Sequence, residues 1–232
     1  MDANINHIEI IDKPMEFSTL RTNARLLLIS VSTFLLFASA FSPLPFDEHQ
    51  YQIETNSQLV ITGASNVNEF TCDCSCERDF TRSTLEISRH PESNRIDFAN
   101  ARLKLTTTNL DCGHKVMNKD LYETLRAKEY PQISITLLQA RIPAEPQQRL
   151  VSFNQWMNID AFTRITIAGQ DKRVHIPVKG RRIEGDRFHF TGEISLNMTD
   201  FGLTPPTAML GLIKVNDKIT INLDLVVRIL KT

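Results

Sequence analysis

Cys72, Cys74 and Cys76 stand at alternate positions, and with Cys112 they are the only cysteines in the chain. On an extended strand a C-x-C-x-C run puts all three thiols on one face. Three such thiolates with Cys112 or the nearby His114 would make a soft-metal or thiol-redox centre, and hence a redox or metal-dependent enzyme. The run lacks the C-x-x-C spacing common in zinc sites, and an even cysteine count in an exported chain reads first as disulfides, with three connectivities. Alternate Cα atoms on a strand lie about 6.5 Å apart, so two of the three are poorly placed to bridge each other. At least one must find a distant partner, and Cys112 is the one available. We therefore expect a Cys72–Cys112 disulfide, no metal and no cofactor.

Nothing else assembles into a catalytic set. The six histidines show no H-E-x-x-H or H-x-E spacing, and no G-x-S-x-G elbow exposes a serine. His189 reads as a solvated residue on a polar strand face. Asp200-Phe201-Gly202 spells the metal-binding tripeptide of kinases, but no glycine-rich loop, strand lysine or H-R-D motif accompanies it. No catalytic residue is assigned, and the chain reads as a non-enzyme.

The elements that would carry these residues are mostly strands. One helix is convincing: Asn118 is a good N-cap, Asp120 suits the first turn, Met117 can staple onto Tyr122, and Leu121 and Leu125 share a face. Lys128 lies near its last turn, and Pro131 stops it close to Tyr130. At once Ile133, Ile135 and Leu137 alternate with polar residues, as in a half-buried strand. Leu59/Ile61, Leu85/Ile87 and Ile96/Phe98 alternate in the same way. Between Phe98 and Leu103 the phase slips, which predicts a bulge near Asn100. Ala140 to Gln148 reads as loop or edge. Met157 to Ile167 and Val174 to Val178 form a hairpin about Gly169-Gln170-Asp171, and Phe188 to Met198 and Ile219 to Ile229 alternate most regularly. Val226 breaks the outer polarity and predicts a contact with the helix or a partner. Short alternating strands joined by turns mean an antiparallel sandwich or barrel.

Four segments resemble the YceI-like family: MNKDLYETLRAKEYPQISI from Met117, GASNVNEF from Gly63, ITIAGQDKRVHIPV from Ile165 and ISLNMTDFGL from Ile194. The similarity runs over roughly residues 51 to 230. It implies a secreted or periplasmic, polyisoprenoid-binding protein with a lipocalin-like fold: all-β with one short helix, an antiparallel β-barrel of about eight strands that can hold one small ligand. The cysteines are not part of the family's general pattern. In such a barrel, strand phase predicts an apolar lining of Phe98, Leu103, Leu105, Ile133, Ile135, Ile165, Ile167, Phe188, Phe190, Ile194, Leu196, Ile221, Leu223 and Leu225. The function expected is that of a carrier enclosing a long apolar ligand, an isoprenoid or other lipid. The competing readings are the thiol enzyme above and a ligand-free surface interaction module.

Composition agrees with an ordinary globular chain, at 232 residues, 23% charged and 41% hydrophobic. With 26 basic and 27 acidic residues, no broad field draws it to nucleic acid or anionic lipid. Leu26 to Phe37 is an apolar run preceded by Arg21 and Arg25 and followed by Ala38-Ser39-Ala40. That predicts a signal peptide over residues 1–40, with Met15 a candidate true start, and one domain over 41–232. The run is short of the ~20 residues a membrane span needs. The expected partner is an apolar, lipid-like small molecule, with no nucleic acid and no stable membrane span after cleavage; a homodimer stays open.

Overall fold

The computed structural model of the chain describes residues 46–74, 79–80, 82–143 and 154–230. The leader, the A-x-A site and Cys76 lie outside them. Residues 45–232 form one compact unit with its own core, which is what independent folding requires.

Among the described residues thirteen strands make up the sheet: β1 (Asp47–Ile53), β2 (Gln58–Ser65), β3 (Glu69–Cys74), β4 (Arg82–His90), β5 (Arg95–Ala99), β6 (Arg102–Thr106), β7 (Leu110–Asp111), β8 (Gln132–Arg141), β9 (Met157–Ile167), β10 (Gln170–Arg182), β11 (Arg187–Asn197), β12 (Thr207–Ala208) and β13 (Ile213–Leu230). All pairings are antiparallel. The order β1-β4-β5-β8-β9-β10-β11-β13 closes through β13–β1 into a ring of eight strands, the lipocalin-like barrel. Two long strands each serve two short ones. β13 pairs with β1 at its end and β2 at its start, and β8 pairs with β5 and β6 likewise.

The phase slip near Asn100 lies at the break between β5 and β6. Asn100 is left-handed there (φ 63°), and the Tyr51 hydroxyl donates to the Arg102 carbonyl at 2.9 Å while accepting from its N–H at 3.2 Å. A buried tyrosine thus satisfies backbone groups that the break takes from the ladder. β8 continues to Arg141, into the stretch from Ala140 to Gln148 expected as loop or edge, of which residues 144–148 lie outside the described ones. The β9–β10 turn is Ala168-Gly169, both left-handed as a two-residue hairpin demands.

Register lines up the apolar residues. Ile194, Ile221, Ile61 and Cys72 are direct neighbours across β11, β13, β2 and β3, and Leu103, Ile135 and Ile165 across β6, β8 and β9. Successive residues on one strand face opposite ways, so each row fixes the face of its whole strand. Val226 is buried outside that phase. The turn between β1 and β2 holds its backbone: Ser57 Oγ accepts from its N–H at 2.9 Å, and the Glu54 N–H donates to its carbonyl at 2.8 Å.

At the ends of β1, β11 and β13, Arg187 and Arg228 stand directly opposite in register, an unfavourable like-charge pair. Glu54 lies between them. It accepts from Arg187 Nε at 3.0 and 3.1 Å and from Arg228 Nε at 2.8 Å. The Arg187 hydrogen bond, with Arg228 behind it, holds the Glu54 carboxyl below its ordinary pKa despite partial burial.

Candidate functional site

The helix α1 (Lys115–Thr124) starts three residues before the expected Asn118 cap. His114 caps it, with Nδ1 accepting from the Val116 N–H at 3.3 Å. Asn118 is drawn elsewhere: its Oδ1 accepts from the Cys112 N–H and its Nδ2 donates to Asp111, both at 2.7 Å. That amide, together with the Gly113 N–H, lowers the Asp111 pKa. Tyr122 does not meet Met117 as a staple; its hydroxyl donates to the carbonyls of Thr108 and Leu110, at 3.0 and 2.7 Å, and burial raises its pKa.

The helix also ends early. Arg126 turns left-handed (φ 54°) and the Ala127 N–H reaches back to the Tyr122 carbonyl at 2.9 Å, a Schellman-type stop well before Pro131. The chain so released lays the Tyr130 ring against Gly169, where a Cβ would come within 2.5 Å of it. The fully buried Thr107 joins the helix exit to the β6–β7 turn, its N–H donating to the Pro131 carbonyl at 2.9 Å. Asp79 secures the other side of that turn, accepting from the Thr106 N–H and hydroxyl at 2.9 and 2.7 Å and from Asn109 at 2.9 Å.

Cys72 on β3 is bonded to Cys112 at the helix entrance, a separation of 40 residues. Cys74, where β3 ends, is also disulfide-bonded. These three sulfurs are therefore not thiolates. His114 is engaged as a cap, and no group of metal-ligating side chains occurs among the described residues.

Beneath α1, between the helix and the ring, lies an apolar cavity of about 280 Å³. Met117, Leu121 and Leu125 roof it. Leu59, Ile61, Phe70, Leu105, Leu110, Ile133, Ile135, Ile165, Ile167, Ile219 and Ile221 form its walls, and Met198, Phe201, Leu203 and Val215 help close it. Its few polar lining groups, Ser65, Asn68, Asp120, Thr124 and Thr207, are none of them buried and mark where it meets solvent. The Phe70 ring reaches the cavity across Gly63, whose missing Cβ makes room for it. Met198 and Phe201 come from a short 3-10 turn that ends at left-handed Gly202, which is what the Asp-Phe-Gly tripeptide does here. A more open groove on the outer side of α1 carries Lys119 and Glu123, paired along the helix, and Arg126 and Glu129, paired just beyond its end.

Of the lining expected from strand phase, Leu105, Ile133, Ile135, Ile165, Ile167 and Ile221 border this cavity. Leu103, Ile194 and Leu196 are buried in the core beside it, and Leu223 and Leu225 pack on that core half-buried. Phe98, Phe188 and Phe190 are half-buried and border no part of the cavity. Phe188 and Phe190 stack with centroids 6.4 Å apart, and Phe190 fills the space over Gly180 together with Ile159. The cavity thus lies at the helix end of the interior, while Phe188 and Phe190 pack on each other and over Gly180 away from it. The helix roof, β2 and β3 were absent from that expected lining, although Leu59/Ile61 and Leu121/Leu125 already showed the right spacing. His189 is not simply solvated: it lies 2.7 Å from Asp224 and packs against Trp156, over which Arg181 also sits.

Comparison with known proteins points the same way. A polyisoprenoid-binding domain from Saccharophagus degradans, implicated in plant cell wall breakdown, superposes with a TM-score of 0.51 at 10% identity, covering 77% of this chain and 97% of that one. Burkholderia cenocepacia BcnA superposes at 0.52 with 18% identity, covering 73% and 95%. At these identities the likeness is one of fold. No curated protein matches the chain. The YceI-like domain model matches residues 47–227, the whole ring with its helix, and the chain therefore belongs to the YceI-like family.

Proposed function

We propose that this protein is an extracytoplasmic carrier that takes an apolar, isoprenoid-like chain into the cavity beneath α1. The observation that carries this reading is a space of about 280 Å³ walled almost wholly by apolar side chains and roofed by a helix. Ligand pockets generally begin near 300 Å³, so the cavity takes one segment of a long chain while the remainder leaves through the mouth. Among the described residues that line the cavity, no hydroxyl or thiol is paired with a base, and binding without chemical change is the activity that such a lining suits. The Cys72–Cys112 disulfide, which joins a cavity wall to the helix entrance, suits an oxidising compartment and a periplasmic or secreted protein.

Native mass spectrometry of purified residues 45–232, followed by solvent extraction, tests the reading. The expected result is a bound apolar lipid in one-to-one ratio that extraction removes. Protein of bare polypeptide mass, refractory to loading with isoprenoid alcohols, would overturn it and leave a surface interaction module.

A further inference from the structure

Among the described residues, eight large apolar side chains stand well out in solvent, and five of them flank the mouth of this one cavity. Met209, Leu210 and Leu212 lie in the loop between β12 and β13, at 68%, 107% and 74% exposure. Val67 tips the β2–β3 hairpin, and Val116 stands on the first turn of α1 next to the cavity-lining Met117. The hairpin and the loop are one unit: Asn66 Nδ2 donates to the Leu212 carbonyl at 2.9 Å, and its Oδ1 accepts from the Lys214 N–H at 2.8 Å. Both border the cavity, through Ser65 and Asn68 on one side and Thr207, Ala208 and Ile213 on the other.

The loop holds its apolar side chains outward at a conformational cost. Met209, Leu210 and Gly211 are consecutively left-handed (φ 51°, 58° and 89°), a conformation that side chains as large as Met and Leu rarely adopt. Folding alone gives no reason to keep a leucine both strained and wholly exposed; such outliers point to a use outside the fold.

We propose that this tip inserts into the surface of a phospholipid bilayer, so that the cavity mouth opens onto acyl chains. The occupant follows from the tip's chemistry. Met, Leu and Val side chains carry no strong hydrogen-bonding group, so burying all five in an acyl layer leaves nothing polar in their side chains to satisfy. The tip also stands beside the polar-rimmed mouth of the cavity among the described residues, and an apolar molecule that enters there is collected from a lipid phase rather than from water. In this respect the inference rests on the cavity reading. With 26 basic and 27 acidic residues, charge does not bring the protein to a membrane, so docking is apolar, proceeds on zwitterionic lipid and survives salt.

The test is flotation of residues 45–232 with phosphatidylcholine vesicles at low and high salt, for wild type, Leu210→Asn and Leu212→Ser. Asparagine tolerates the left-handed conformation, so the first variant should melt no lower than wild type while its partitioning falls about tenfold. Wild-type protein that stays unbound, variants that float equally well, or flotation abolished by salt would each overturn the proposal. So would a wild-type dimer that Leu210→Asn dissociates while neither protein floats, which would make the tip a contact between copies. Leu121→Trp, which fills the cavity, should float unchanged. Flotation of protein that yields no apolar extract upholds the tip and removes the cavity reading; an extract without flotation does the reverse.

Discussion

Glu54 carries more of the structure than a single surface carboxylate usually does. It neutralises Arg187 and Arg228, which the β11–β13 register sets face to face, so Glu54→Gln leaves two opposed cations and should lower the melting temperature at neutral pH. Its pH dependence has a definite sign. Because the folded carboxyl titrates below its ordinary value near 4.5, the stabilisation is complete above that value and is lost as pH falls through the lower folded pKa. Asp217, held down by the Thr199 hydroxyl and N–H, adds to the same acid loss. Melting curves from neutral to acid pH should therefore fall less steeply for Glu54→Gln than for wild type. Equal slopes would show that Glu54 does not titrate as its contacts require. Cysteine chemistry makes the second prediction at this scale. Closing 40 residues between Cys72 and Cys112 constrains the unfolded chain by about 4 kcal/mol in the chain-entropy model. Reduction, or Cys112→Ala, should lower the melting temperature by many degrees, and an unchanged melt would contradict it. That Cys112 pairs with a cysteine of this strand was legible in sequence, because same-face thiols leave one distant partner; that it is Cys72 comes from where β3 meets the helix entrance. The Glu54 cluster was not, since it joins residues more than a hundred positions apart that only register brings together.

Among the elements, the strands were the legible part. Period-two alternation located β9, β11 and the later half of β13, and the slipped phase after Phe98 marked the β5–β6 break. The helix was displaced at both ends because its capping residues have competing uses. Asn118 has the side chain of a good cap, yet Asp111 and the Cys112 N–H claim it, and His114 caps instead. Pro131 permits a later stop, but the left-handed turn at Arg126 ends the helix first and frees Tyr130 to reach Gly169. That contact gives a prediction. Gly169 is left-handed and a Cβ there would press into the Tyr130 ring at 2.5 Å, whereas left-handed Gly185 has nothing within 4 Å. Both Gly→Ala changes carry the backbone cost of about 1 kcal/mol, but Gly169→Ala adds a steric one and should cost at least twice as much in urea denaturation. Equal losses would mean that the helix exit does not dock on the β9–β10 turn. The loop at Met209 to Leu212 escaped sequence reading altogether, because a few apolar residues before a strand look like the start of that strand.

For the whole molecule, strand phase could locate an inward face but could not say where that face meets another side chain and where it meets space. Phe188 and Phe190 stack on each other and Phe190 packs over Gly180, while the residues beneath α1 leave about 280 Å³. Hollowness depends on how far Leu121 and Leu125 sit above Ile133 and Ile165, and no periodicity encodes that separation. The two ends should answer mutation differently. Phe190→Ala removes a half-buried ring that packs on Phe188 and over Gly180, and should cost less than the ~3–5 kcal/mol of a fully buried one. Leu121→Trp grows into space already present and should cost less than the 1–3 kcal/mol usual for overpacking. Bound lipid counted by native mass spectrometry in wild type and these two variants, each expressed as residues 45–232, is the most direct test of the carrier. The expected result is full occupancy in wild type and Phe190→Ala, with none in a still-folded Leu121→Trp. Occupancy untouched by Leu121→Trp but lost in Phe190→Ala would place the ligand at the other end of the barrel and contradict the cavity assignment.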